Sequence, residues 1–201
     1  EDVKDEESAL FAHARRAAVT LATDEGLVAR MRAACAKNAT RALTFSADAH
    51  TPADAWLAAR ALRPDGSSEL TIALAPSLVA AGTEPLVRAG FPLLGRAAAL
   101  DAVAAVLCVV ASLEAPATAA TLRALGEALG TVRPAPGRMV PVRVRDALVL
   151  DDTYNANPGS VRASLETARE LAVGLGARRV LVLGDMLELG ALSESMHREL
   201  V

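Results

Sequence analysis

Two prolines and a glycine fall within Thr131-Val132-Arg133-Pro134-Ala135-Pro136-Gly137-Arg138, and neither a helix interior nor a central strand runs through such a stretch, because each proline fixes φ and lacks an amide donor. The run reads as an interdomain linker that divides the 201 residues into a segment 1–136 and a segment 137–201. A chain of this length is large for one domain and small for two, so the linker, rather than the length, argues for two cores.

Before the linker, apolar periodicity predicts a helix over 8–16, a strand over 17–23, a helix over 26–36 and a strand over 42–46. Residues 54–62 and 68–74 flank Arg63-Pro64-Asp65-Gly66-Ser67, whose turn chemistry predicts a hairpin. A strand is expected over 86–93, then two Ala- and Leu-rich helices over 97–113 and 118–129, broken near Pro116. After the linker come a strand over 147–151, a helix over 160–173, a strand over 179–183 and a helix from 193. That βαβα order predicts an α/β fold with a parallel sheet and right-handed crossovers.

Hydrophobic residues make up 52% and charged residues 22%, the balance of a chain that buries a core. The net charge is −3 and the 21 Lys and Arg are scattered, so a nucleic-acid partner is not expected. The apolar run 97–113 carries Asp101 and falls short of the roughly 20 residues that cross a bilayer; it is expected to be a buried helix and not a transmembrane segment. The acidic first residues are unlike a signal peptide, and the expected location is cytoplasmic. Cys35 and Cys108 lack metal-ligand or CxxC spacing and read as reduced thiols. Both ends of the chain fall in expected helices, as in a piece of a longer protein.

In open parallel sheets ligands sit beyond the carboxyl ends of strands, which directs attention to two loops. The first, Asp151-Asp152-Thr153-Tyr154-Asn155-Ala156-Asn157-Pro158-Gly159-Ser160, places two carboxylates, two carboxamides and a phenol at a strand-to-helix junction. Such a loop holds ribose hydroxyls or a polar substrate; equally, its residues suit turns, with Ser160 capping the next helix. The second, Gly184-Asp185-Met186-Leu187-Glu188-Leu189-Gly190, lets backbone approach a ligand at Gly184. His197, alone in its helix, reads as a satisfied structural residue.

DDTYNANPGSVRASLE followed by RRVLVLGDMLELGALSESMHREL resembles the start of the carboxy-terminal domain of the MurF-type Mur ligases, which join D-alanyl-D-alanine to UDP-N-acetylmuramoyl-tripeptide. Upstream, PAPGRM is similar to the family's linker, and FPLLGR to its lead into a long helix. The resemblance covers most of the chain and is strongest from Gly137 onward. It implies the Mur ligase architecture, with the latter part of a central P-loop-type ATP-binding domain in residues 1–136 and the first part of a Rossmann-like parallel-sheet domain in residues 137–201.

The activity implied is an ATP- and Mg2+-dependent ligation through an acyl phosphate in peptidoglycan precursor synthesis, by a cytoplasmic, monomeric enzyme. By the same resemblance Arg138 reaches the ATP phosphates, Asp152 and Asp151 face the ribose, and Tyr154 stands in that nucleotide loop. Asn155 and Asn157 shape the interdomain site, and Asp185 is a further candidate of the same kind as the aspartate pair.

The sequence also departs from the family. No Gly-x-x-Gly-Lys-Thr occurs, so the phosphate-cradling loop is absent and the chain alone is not expected to hydrolyse ATP. Ala97, Ala98 and Asp101 stand where the family has His-Asn and a further Asn. Where the family carries a carbamylated lysine near magnesium, counting back from Leu10-Phe11 gives Glu7, a candidate metal ligand, with Lys4 reached only by an insertion. These departures motivate a rival reading, a catalytically silent homologue that binds the precursor or a partner. A folate-type ligase of the same superfamily is a third, against which Asn155-Ala156-Asn157-Pro158 argues.

Overall fold

The computed structural model describes residues 3–63, 65–187 and 189–200, the side chains of residues 3, 4 and 7 excepted. Five strands form one sheet in the order β1 (Ala17–Leu21), β2 (Arg41–Ser46), β3 (Ala55–Leu62), β4 (Ser68–Leu74), β5 (Leu86–Phe91). The first three run parallel and the last three antiparallel. The two halves meet along a short seam, where only Phe45 with Ala55 and Ser46 with Trp56 pair β2 to β3. Asp54 completes that seam: its carboxylate accepts the Thr44 amide at 2.8 Å and its own amide donates to the Thr44 carbonyl at 2.8 Å.

Helix α1 (Val3–Ser8) passes into a 3-10 stretch at Ala9–His13, where a single helix over 8–16 was expected. The tighter turn leaves Leu10 exposed while Phe11 packs on the small cluster of Ala18, Met31 and Cys35. Helix α2 (Glu25–Asn38), capped by the Asp24 carboxylate on the Leu27 amide, crosses from β1 to β2.

The core lies between the sheet and α3 (Gly95–Ser112), which buries Ala99, Ala102, Val103, Val106, Leu107 and Val110. Among the described residues α3 is the one helix long and apolar enough to cross a membrane, and its apolar face is spent on this core. Its last carbonyls are met by cations, Arg41 on Ala111 and Arg16 on Ser112 at 2.7 Å, which offsets the negative end of the helix. Helix α4 (Ala119–Thr131) packs on the edge strand β5, and Gly126 faces the Arg88 carbonyl with no room for a Cβ.

Beyond the linker the α/β class holds, but the arrangement differs from the expected parallel sheet. Strand β7 (Ala147–Asp151) pairs antiparallel with β6 (Val140–Val144) through a two-residue turn at Arg145-Asp146. Proline 141 concealed β6, yet an edge strand tolerates a missing donor. Residues 179–183 form no strand: Val180 and Val182 are 75% and 93% exposed. An apolar β-branched run becomes a strand only beside a ladder partner, and β7 is paired here to β6 alone.

Helix α5 (Pro158–Leu175) docks this second unit onto the first through its buried Thr167 and Leu171. Gly95, at φ 88°, makes room for the Thr167 hydroxyl, which would stand 2.5 Å from a Cβ there. Beside this contact Arg60, its side chain 8% exposed, donates through Nη1 to both Glu170 oxygens at 2.7 and 2.8 Å and through Nε to Ser68 Oγ at 3.0 Å. Arg60 Nη2 is buried with no partner among the described residues. Removing Glu170 leaves a nearly buried cation unpaired, whereas replacing Arg60 by an apolar side chain leaves a carboxylate that is 36% exposed and reaches water. Glu170→Ala is therefore expected to lower stability in urea titrations by about 3 kcal/mol, and Arg60→Met by less than half of that; equal losses would mean the pair does not act as a buried pair.

Candidate functional site

The linker crosses the loop between β7 and α5, and the two are fastened together there. Gly137 is buried, with φ 68°, and its carbonyl accepts the Tyr154 amide at 3.0 Å. A Cβ at Gly137 would stand 3.0 Å from that amide nitrogen and 3.3 Å from Thr153 Oγ1, so glycine is favoured there by conformation and by space. Met139 also takes a positive φ, 51°, and its amide donates to Asp152 Oδ1 at 3.0 Å. The other Asp152 oxygen accepts the Ser164 hydroxyl from α5. One half-buried carboxylate thus joins linker, loop and helix.

Both Asp152 oxygens hold donors of the chain itself; each carboxylate oxygen has a second acceptor site, so these bonds neither use up the carboxylate nor exclude the ribose contact implied by resemblance. Asp151 binds the Thr153 amide at 3.3 Å and hydroxyl at 2.7 Å through Oδ1 alone, which leaves Oδ2 outside these bonds. Asn157 is the cap of α5: its Oδ1 accepts the Ser160 amide at 2.9 Å and its amide donates to Ser160 Oγ at 3.1 Å. The cap is therefore Asn157 and not Ser160, a reciprocal capping box followed by Pro158 at a position that needs no donor. Asn155 accepts the Ala156 amide at 2.8 Å and is exposed.

Arg138 closes the linker turn by donating its amide to the Ala135 carbonyl at 3.1 Å. Its exposed guanidinium lies over the Tyr154 ring, 4.1 Å from the centroid. Arg138, Asp151, Asp152, Tyr154 and Asn157 are thus gathered on one short stretch of surface. Asp185 is exposed, and no hydrogen bond or ion pair among the described residues ties it to this loop. The Glu7 side chain lies outside the described residues, and its expected metal role with it. At the start of α3, Ala97 is exposed and Ala98 packs on the core, while desolvation by neighbouring protein holds the Asp101 carboxyl above its ordinary value.

His197 is satisfied structurally: its Nε2 accepts the Met186 amide at 2.9 Å and its Nδ1 donates to the Ser193 carbonyl at 2.7 Å. Ser164 and Met139 carried no sequence signal, because a serine inside a helix and a methionine after a glycine are ordinary; Gly137 was marked by the linker itself. Clefts of about 440 Å³ beside Arg16 and Arg41 and about 660 Å³ beside Arg88 and Arg123 lie elsewhere. The gathered residues form an open surface.

Residues 137–201 match the family described as Mur ligase, glutamate ligase domain. Over 79 residues the chain is 44% identical to the UDP-N-acetylmuramoyl-tripeptide--D-alanyl-D-alanine ligase of Escherichia coli (strain K12), covering 39% of this chain and 17% of that protein. Its fold is similar to MurF from Acinetobacter baumannii, with a TM-score of 0.73 at 23% identity over 96% of this chain and 37% of that one. The MurF ligase of Thermotoga maritima in complex with ADP gives 0.69 at 23% identity over 98% and 40%. The chain spans well under half the length of these proteins. Residues 137–201 are thus similar to the Mur ligase, glutamate ligase domain, and the fold is similar to these MurF structures over 96 to 98% of the chain.

Asp152→Ala strands the Met139 amide, whereas the Ser164 hydroxyl keeps the Ser160 carbonyl at 2.9 Å, and the loss is expected to cost about 2 kcal/mol in chemical denaturation. Asp151→Ala, which frees only the adjacent threonine, is expected to cost less than roughly 1 kcal/mol. Unchanged stability in Asp152→Ala would return that carboxylate to a ligand-binding role.

Proposed function

We propose that the chain is part of an ATP-dependent ligase of MurF type, which joins D-alanyl-D-alanine to UDP-N-acetylmuramoyl-tripeptide in the cytoplasm as a monomer. Residues 1–136 are then the latter part of the central ATP-binding domain and residues 137–201 the start of the carboxy-terminal domain. The observation that carries this reading is the loop Asp151–Ser160 fastened to the linker at Gly137 and Met139, with the Arg138 guanidinium held at its surface. The 44% identity over 79 residues to the Escherichia coli ligase supports it.

ATP, when bound, supplies the phosphoryl group that activates the terminal carboxylate of the precursor as an acyl phosphate. The work of this chain is positioning and charge. Arg138 offers a permanent cation with five donors in a planar fork, suited to phosphate oxygens. Asn155, exposed and uninvolved in the cap, keeps its carboxamide nitrogen for a substrate, whereas Asn157 and Asp152 hold the loop in shape. Asp151 Oδ2, outside the chain's own hydrogen bonds, suits a ribose hydroxyl. Among the described residues no three His, Cys, Asp or Glu side chains converge on a metal site.

Ala97 and Ala98 favour the rival, a silent homologue, because neither offers a hydrogen bond at the start of α3. Phosphate release by the full-length protein separates the two. With ATP, magnesium, UDP-linked tripeptide and D-alanyl-D-alanine, release is expected only when all four are present, and Arg138→Ala is expected to lower kcat by about 100-fold. Folded protein that binds the precursor and releases no phosphate would overturn the ligase reading in favour of the silent one.

A further inference from the structure

We infer that Tyr154 is a positioning residue that holds the Arg138 guanidinium in place for a polyphosphate while leaving its charge and its donors free; the inference rests on the phosphate-facing reading of Arg138. The pair is the one cation–π contact among the described residues, at 4.1 Å. No carboxylate forms an ion pair with Arg138 among the described residues, although Asp151 and Asp152 stand in the same loop. Asp152 holds Met139 and Ser164 through its two oxygens, and Asp151 holds Thr153 through Oδ1 alone.

The difference between the two ways of fixing an arginine is chemical. A carboxylate partner neutralises the charge and occupies the in-plane N–H groups, as Glu84 does for Arg88. An aromatic face meets only the flat side of the guanidinium, so its in-plane donors still point outward. An arginine meant for a polyanion is better held in the second way.

Tyr154 has no evident packing role to explain its place. It is 66% exposed, yet its backbone is pinned, with its amide on the Gly137 carbonyl at 3.0 Å and no space for a side chain at Gly137 between them. Ring and guanidinium therefore sit on neighbouring pinned positions, which fixes how they face each other.

Tripolyphosphate binding to the full-length protein tests this, with the NMR shifts of the Arg138 side-chain protons as a second readout. Tyr154→Leu is expected to weaken tripolyphosphate about three- to tenfold and to remove the ring-current shift, without a change in melting temperature. Tyr154→Phe, which keeps the ring face, is expected to restore most of the affinity. In an Arg138→Ala background, Tyr154→Leu is expected to cost nothing further. The inference is overturned if Tyr154→Leu binds like the parent while Arg138→Ala is impaired, if Tyr154→Phe is as weak as Tyr154→Leu, or if the loss persists without Arg138. An unimpaired Arg138→Ala would instead overturn the phosphate-facing reading itself.

Discussion

One carboxylate sets the shape of the site. Asp152 takes the Met139 amide on one oxygen and the Ser164 hydroxyl on the other, so the linker, the loop after β7 and the body of α5 are held by a single side chain. Charged acceptors make the stronger hydrogen bonds, and this one spares Met139 an unpaired amide in a strained, positive-φ conformation. The Gly137 carbonyl on the Tyr154 amide closes the second side of the same fastening. Arg138 lies between these two contacts, so its backbone has little freedom, and its side chain is placed by the ring beside it.

A second fastening docks this unit on the five-stranded sheet. Gly95 yields space to Thr167, Gly66 lies against Leu94 and Leu171, and Arg60 meets Glu170 in a nearly buried pair. The docking uses few residues and one costly ion pair with an orphaned Nη2. Contacts of this modest kind are compatible with relative motion of the packed elements.

Much of this was legible in the sequence where local signals and burial agree. The hairpin around residues 63–67, the buried helix α3 despite its length and the break near Pro116 all follow from proline, glycine and apolar periodicity. What escaped depended on partners far along the chain. Pro141 hid β6 because its tolerance comes from being on an edge, and residues 179–183 looked like a strand because their composition says nothing of whether a ladder neighbour exists. At the site, composition marked the crowded loop but could not apportion its roles. Asp152 and Asn157 turned out to face the chain's own amides and hydroxyl, and only the distances distinguish them from Asp151 and Asn155.

The central claim is that the linker turn and the loop form one body around Asp152, and native-state hydrogen exchange reads it directly at two amides. The account predicts that Met139 and Tyr154 exchange with a common opening free energy and lose protection together in Asp152→Ala, while the β3–β4 ladder keeps its own. Exchange of Met139 at the rate of an open linker, with Tyr154 protected independently, would contradict it.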